Sequence, residues 1–385
     1  MKSSTKKISV IGAGISGLSC AYILKKLGFE VTIYSKDNPL NEVISPTHLS
    51  LFPAASIIPH TVSHQNINSI FQHSISCFDK LYFAQFPGLV IHKHFELFAE
   101  SMEPPSYIDH MKGFCKLNDS ELSKAPNHPE ITISKGWGFE CYFADWSIYF
   151  PALIKVIEKE DITIVLKEIN STDLEALESD IIINCAEIGG PLIAGLKPNP
   201  ILYRGHTIHV KDAPLFFDEN GHVVSYNFTP FKSFYKSENG NPQDLYCYPR
   251  SDGWILGGSR QIGTLSPKGE WIGEEVIEPS EVLNGIVFPE QILSLQKAIL
   301  KNSFGLDLDS YKNRTAKAGY RYMGNKKSGL RLESEEKYGK LLVHNYGHGG
   351  AGVTLSWGCA IEVASNIIKN LNGKELDIEE VLNCI

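Results

Sequence analysis

Residues 7–28 read KISVIGAGISGLSCAYILKKLG. KISVIG is a short, β-branched apolar run that suits a strand, and GAGISG interrupts it with a turn. ISGLSCAYILKKLG then has helical spacing up to Gly28, which is placed to cap the helix C-terminus. EVTIY at 30–34 supplies a second strand, so the chain opens on a βαβ unit. Gly12, Gly14 and Gly17 form GxGxxG between strand and helix, the context in which that pattern points to dinucleotide binding. Gly12 permits the tight turn, and Gly14 lets backbone N–H groups approach a pyrophosphate at the positive helix end. Gly17 allows helix and strand to pack closely. The acidic residue that usually ends the second strand and holds a ribose hydroxyl is missing. The strand ends IYSKD, so either Asp37 reaches back or the ribose is held by Ser35 or the backbone.

Working outward, 385 residues exceed one typical core and suggest roughly two domains. Hydrophobic content of 43% and charged content of 21% are those of a globular chain. A formal charge of −8 argues against nucleic acid as a partner. The eight cysteines form no CxxC pair and read as buried thiols in a reducing compartment. MKSSTKK is basic, but the apolar run behind it is broken by glycines and is not an export signal. No run of about 18 apolar residues occurs, so no membrane span is expected, and a cytoplasmic protein is the simplest reading.

Farther along, YFPALIKVIEKE at 149–160 reads as a helix that Asp145 or Ser147 could cap. DITIVLKEI and DIIINCA read as strands returning to the first sheet, the second continuously apolar as a strand buried on both faces should be. RGHTIHV, HVVSYNF, KSFYK, DLYCYPR and GWILGGS between 204 and 259 suggest a second, mostly antiparallel sheet, with hairpin turns at SENGN and SDG. PEQILSLQKAILKNSF is a helix, KLLVHNY a strand, and LSWGCAIEVASNIIKNL a closing helix. The fold class is therefore α/β: a doubly wound, Rossmann-like domain interleaved with an α+β domain on a mixed, mostly antiparallel sheet. Expected boundaries are 1–90, 145–200 and 318–385 for the first, and 91–144 and 201–317 for the second.

The other glycine cluster lies in VHNYGHGGAGVTLSWGCA at 343–360. Gly347, Gly349, Gly350 and Gly352 let backbone lie flat against a planar ligand with no Cβ in the way. Thr354 then starts a helix whose N–H groups stabilise developing negative charge by up to about 2 kcal/mol when buried. His344 and His348 have HxxxH spacing, but the glycines rule out the helix that would aim both at one metal, and a hydrogen-bonded loop histidine is preferred. No GxSxG elbow, HExxH or P-loop pattern appears.

HNYGHGGAGVTLSWGCA at 344–360 resembles the C-terminal signature of the D-amino acid oxidase family, whose members also begin strand–GxGxxG–helix. In the same order, AASIIPH at 54–60 is similar to the family's flavin loop and DIIINCAE at 180–187 to the strand that closes its nucleotide-binding sheet. YRGH at 203–206 and YCYPRSDGWILGGS at 246–259 resemble substrate-domain strands, and AGYRY at 318–322 the segment with its substrate arginine. The resemblance implies a flavoenzyme with FAD, which takes hydride from Cα of a D-amino acid at flavin N5. The products are an imino acid that hydrolyses to keto acid and ammonia, and hydrogen peroxide from oxygen as acceptor.

The resemblance also assigns residues. Arg321 pairs with the substrate carboxylate, for which a planar fork of donors is suited. Tyr246 assists it through its hydroxyl, and the Gly350 carbonyl accepts from the substrate amine. For FAD it implies contacts from Gly12, Ala13, Gly14, Ile15, Ser16 and Gly17, and from Ser35, Lys36 and Glu168. Further contacts come from Ala55, Ser56 and Ile57, and from Gly349, Gly352, Val353 and Thr354; no metal is implied. The chain departs from the family pattern at Ser56, at Ala186–Glu187, at His206, and at Pro242, where relatives carry a lid tyrosine; Tyr235 or Phe234 could replace that lid. Alternatives are a related glycine- or sarcosine-type amine oxidase, a flavin-binding protein without oxidase activity, and, less fitting, an NAD-dependent dehydrogenase. A homodimer is compatible with the sequence.

Overall fold

The computed structural model describes residues 5–40, 49–60, 62–196, 201–324 and 329–385. At its centre is Lys7–Ile11, the middle of a six-stranded sheet. The order across that sheet is Arg331–Lys337, Lys340–Tyr346, Ile181–Asn184, Lys7–Ile11, Glu30–Ser35 and Thr163–Leu166. All neighbours are parallel except the antiparallel edge pair of Arg331–Lys337 with Lys340–Tyr346. Ile181–Asn184 is buried at every residue, as its unbroken apolar run requires. The first helix, Ile15–Lys26, packs on the closing helix, Gly352–Asn372. Leu18, Leu355 and Trp357 are among the side chains they bury, each worth about 1.5–3 kcal/mol. The first helix ends at Lys26, with Leu27 as cap and Gly28 in the left-handed region just beyond. The closing helix starts at Gly352, two residues before the expected Thr354.

The larger sheet has ten strands. Leu202–Lys211 is its hub: Arg314–Tyr322 pairs along one edge, and Gly253–Gly257 and Gln261–Leu265 share the other. The order continues through Leu245–Arg250, Val223–Thr229, Leu89–Phe98, Lys135–Ala144 and Lys112–Lys116, and only the pairing of Leu89–Phe98 with Val223–Thr229 is parallel. Residues 251–253 form the expected hairpin turn.

Three expectations are corrected. The boundary at 318 cuts through a strand, because 314–322 pairs continuously with 202–210 and lies wholly in the larger sheet. KSFYK is not a strand: 232–235 turns, and only Lys236 makes an isolated bridge, to Pro242, across the SENGN turn. Asp145 sits at the N-cap of Trp146–Lys159 but does not cap it with its side chain. Its carboxylate instead accepts from the Ser147 hydroxyl and from the Ser251 N–H at 2.7 Å.

All eight cysteines are free thiols. Among the described residues no helix is long and apolar enough to cross a membrane.

Candidate active site

The first turn sits at the end of the central strand, where two parallel neighbours diverge. Gly12 has φ +111°, and its N–H donates to the Tyr34 carbonyl at 2.8 Å. A Cβ there would stand 2.5 Å from the Cys185 carbonyl oxygen, and one on Gly17 would stand 1.9 Å from the Gly12 carbonyl oxygen. Glycine is therefore required at both positions by backbone packing. Gly14 is the N-cap of Ile15–Lys26 and offers no side-chain acceptor, so the first N–H groups of the helix are left for another partner.

That end opens into a cavity of about 590 Å³ between the two sheets. Gly12, Ala13, Gly14, Ile15 and Ser16 line it on the side of the smaller sheet, beside Ser35, Lys36 and Glu168. The Ser35 hydroxyl is turned to the Asp37 carbonyl at 2.7 Å, and Lys36 Nζ lies 3.4 Å from Glu168 Oε1. Two carboxylates, Asp37 and Glu168, border this end of the cavity.

Ala55 and Ser56 line the middle of the cavity, and Gly349, Gly350, Gly352, Val353 and Thr354 line it from the C-terminal segment. Thr354 Oγ1 donates to the Ile58 carbonyl at 3.0 Å, fastening the start of the closing helix to the 54–60 loop. Ile57 is a correction: it is fully buried and faces the core rather than the cavity. Its N–H donates to the Tyr142 carbonyl, which ties this stretch to the strand Lys135–Ala144. Gly17 likewise lies behind the cavity wall, in its packing role.

Two acids and two histidines explain the geometry of the C-terminal loop. Glu187, itself in the left-handed region, accepts from the N–H of Gly347, the N–H of His348 and His348 Nδ1, each at 3.0 Å. His348 Nε2 lies 3.0 Å from Asn345 Oδ1. His344 points elsewhere, to Glu335 at 3.0 Å and Asn184 at 3.2 Å, so the two histidines share no centre. The departure from the family pattern at Glu187 is what pins the glycine loop.

The larger sheet supplies the opposite wall. Arg321 and Tyr246 face each other there, and Arg321 Nη1 donates to the Ser259 carbonyl at 3.4 Å. Burial pushes the Tyr246 phenol up, and the Arg321 guanidinium pulls part of that back. Tyr246 is stacked on Tyr248 with ring centroids 4.7 Å apart, so its hydroxyl is held in place by packing. His206 does not line the cavity. Its Nδ1 meets Ser259 Oγ at 2.7 Å, and burial, with Arg204 and Arg321, pushes the imidazole down to about 3, so it is neutral.

The lid expected from Tyr235 or Phe234 is not formed, since neither lines the cavity. Tyr235 is buried and Phe234 points to solvent. The segment is latched by Glu274, whose carboxylate accepts from the Ser237 hydroxyl at 2.9 Å and from the Ile262 N–H at 2.6 Å.

Among the cavity residues not picked out in the sequence are His60, Asn227, Asp244 and Arg260. Arg260 Nη2 is ion-paired with Asp244 Oδ1. His60 Nε2 lies 2.8 Å from Glu96 Oε1, and Asn227 Nδ2 donates to the same oxygen at 2.9 Å. His60 belongs to AASIIPH, so its neighbourhood was legible; the Arg260–Asp244 pair carries no local signal.

A sequence model described as FAD dependent oxidoreductase matches residues 146–366, more than half of the chain. The chain belongs to this family. An NAD(P)-binding Rossmann-like domain model matches residues 10–40 of this FAD-dependent oxidoreductase, which is the glycine turn and its flanking strands. Among curated relatives, it is 26% identical to a D-amino-acid oxidase of Rubrobacter xylanophilus over 362 residues, covering 92% of this chain and 94% of the relative. It is 28% identical to D-aspartate oxidase of Homo sapiens over 376 residues, covering 94% of each. Among solved structures, glycine oxidase from Bacillus cereus ATCC 14579 shares the fold with a TM-score of 0.59 at 13% identity, covering 97% and 99% of the two chains.

FAD is the cofactor of this oxidoreductase, and the cavity fits it. A backbone turn closed to any Cβ at Gly12, an uncapped helix N-terminus at Gly14, and a glycine loop running into a second helix N-terminus suit a pyrophosphate and a planar ring.

Proposed function

We propose that the enzyme oxidatively deaminates a D-amino acid. The observation that carries this is Arg321: a guanidinium beside the Tyr246 hydroxyl, in the same cavity as the C-terminal glycine loop, with no carboxylate partner among the described residues. It suits an incoming α-carboxylate, which would accept two charge-assisted hydrogen bonds and an additional one from Tyr246. The two curated relatives, named as oxidases of D-amino acids, support the choice of substrate.

Bound FAD supplies a two-electron acceptor for this reaction. Gly12–Ser16 and the segment 349–354 hold it, and Arg321 with Tyr246 orients the substrate's Cα against it. The amino acid loses two electrons and two protons to give an imino acid, which water converts to a keto acid and ammonia; oxygen takes up the electrons and protons as hydrogen peroxide. No side-chain base is required if the amine enters neutral, and catalysis rests on orientation and electrostatics.

The test is the visible spectrum of purified holoenzyme under nitrogen, before and after D-alanine and a panel of other D-amino acids. Bleaching of the flavin band by a D-amino acid supports the reading, and bleaching by glycine or sarcosine alone replaces it with a glycine- or sarcosine-type amine oxidase. Arg321→Ala should lower kcat/KM by about 2–4 kcal/mol, mostly through KM, while FAD stays bound. Unaltered kinetics in that variant would remove Arg321 as the anchor.

A further inference from the structure

Three groups able to carry positive charge face the substrate side of the cavity: Arg321, Arg260 and His60. Two of them already have a resident carboxylate. Arg260 is ion-paired with Asp244, and His60 lies against Glu96. Among the described residues, no carboxylate pairs with Arg321 in the same way; its guanidinium meets the Ser259 carbonyl and the Tyr246 hydroxyl.

The Asp244–Arg260 pair is built into the wall. Asp244 precedes the strand Leu245–Arg250, two residues before Tyr246, and Arg260 follows the strand Gly253–Gly257, so the hairpin brings together side chains sixteen residues apart. A Cβ on Gly258 would stand 2.1 Å from the Asp244 carbonyl oxygen, so the two strand ends abut. Arg260 is held further by its N–H, which donates to Gln243 Oε1 at 2.6 Å. Both charged side chains are only partly covered, 27% exposed for Asp244 and 32% for Arg260, and both border the cavity.

We propose that Asp244 determines side-chain specificity: by occupying Arg260 it leaves the substrate side of the cavity one unmatched cation, so the enzyme accepts D-amino acids with uncharged side chains and discriminates against acidic ones. This rests on the amino acid oxidase reading above. A neutral amino acid brings one carboxylate, which Arg321 matches. An acidic one brings a second, which either lies beside the Asp244 carboxylate or displaces it from Arg260, and both cost free energy in a partly desolvated site. A side-chain carboxamide meets no such conflict, since it donates to Asp244 and accepts from Arg260.

D-asparagine and D-aspartate have the same shape and differ in charge, so their ratio of kcat/KM isolates the effect. In wild-type holoenzyme the ratio should favour D-asparagine by at least about tenfold, since like-charge juxtaposition is costly. Asp244→Asn should raise turnover of D-aspartate and lower the ratio by at least about tenfold, because Arg260 becomes free to take the second carboxylate. Asp244→Ser should do the same without an amide in place of the acid. Binding gives an independent readout: malonate, titrated by its perturbation of the flavin absorbance, should tighten in both variants, while propionate should not.

A wild type that prefers D-aspartate overturns the proposal, as do an unaltered ratio and unaltered malonate affinity in both variants. If D-asparagine is still oxidised in that case, the oxidase reading survives and only Asp244 loses its role. A holoenzyme that oxidises no D-amino acid overturns both.

Discussion

Gly205 lies against the guanidinium of Arg321: a Cβ on Gly205 would stand 2.3 Å from Nη1 and 2.9 Å from Cζ. The two residues belong to adjacent strands, in which Gly205 pairs with Gly319 and Arg321 with Tyr203. The bare backbone at 205 is what gives the guanidinium its place at the cavity wall. Gly205→Ala should therefore push Arg321 out of position, and a misplacement of about 1 Å is enough to lower kcat/KM roughly a hundredfold. The loss should appear mainly in KM, with FAD content and melting temperature close to wild type, because the displaced atoms are the end of a flexible side chain. Steady-state kinetics with a D-amino acid checks this; an unaltered KM would show that the guanidinium works equally well elsewhere.

Glu187 is the brace of the C-terminal glycine loop, with three hydrogen bonds to Gly347 and His348. Glu187→Ala should leave those donors unmatched and loosen the segment that meets the cofactor. Each hydrogen bond to a charged group is worth about 1.5–3 kcal/mol, so FAD should bind at least tenfold more weakly even if part of the loss is recovered by water. Flavin fluorescence released on dilution measures it directly, and retention equal to wild type would assign the loop's shape to its glycines alone.

The buried Glu96 carboxylate couples stability to pH. Burial alone would raise its pKa, but His60 and His94 outweigh burial and hold it at about 2, below the ordinary 4.5. Its contribution is therefore present above pH 4.5 and is lost as pH falls from there towards 2. His60 has the opposite sign. Burial lowers it, but Glu96 and Asp244 outweigh burial and the opposing Arg260, so its folded pKa is raised. Its contribution is present below 6.5 and fades as pH rises through the raised value. Melting temperature should accordingly peak between about pH 5 and 6 as far as this cluster is concerned. Glu96→Gln should cost about 1–3 kcal/mol there and flatten the acid limb, because His60 and His94 lose a charged acceptor. Thermal melts from pH 3 to 8 test both limbs.

The first turn and the closing helix were legible because each is a local device: a glycine-rich turn followed by an apolar helix. The two ten-residue strands Leu89–Phe98 and Lys135–Ala144 were not. In the first, His92, His94 and Glu96 occupy buried alternate positions, so the inward face reads as polar and the usual alternation vanishes. Arg321 was found through a motif, whereas Asp244 and Arg260 become neighbours only when a hairpin closes. Ile57 was misplaced for the reverse reason, since its neighbours Ala55, Ser56 and Ile58 border the cavity while its own side chain packs into the core.

Because Gly12–Ser16 and Gly349–Thr354 meet at one cavity, a ribosome must deliver more than three hundred residues beyond the first turn before the prosthetic group has both of its walls. Loading thus waits on the late-made wall, and a truncated translation product that stopped short of residue 349 would emerge colourless however well its opening βαβ unit had formed.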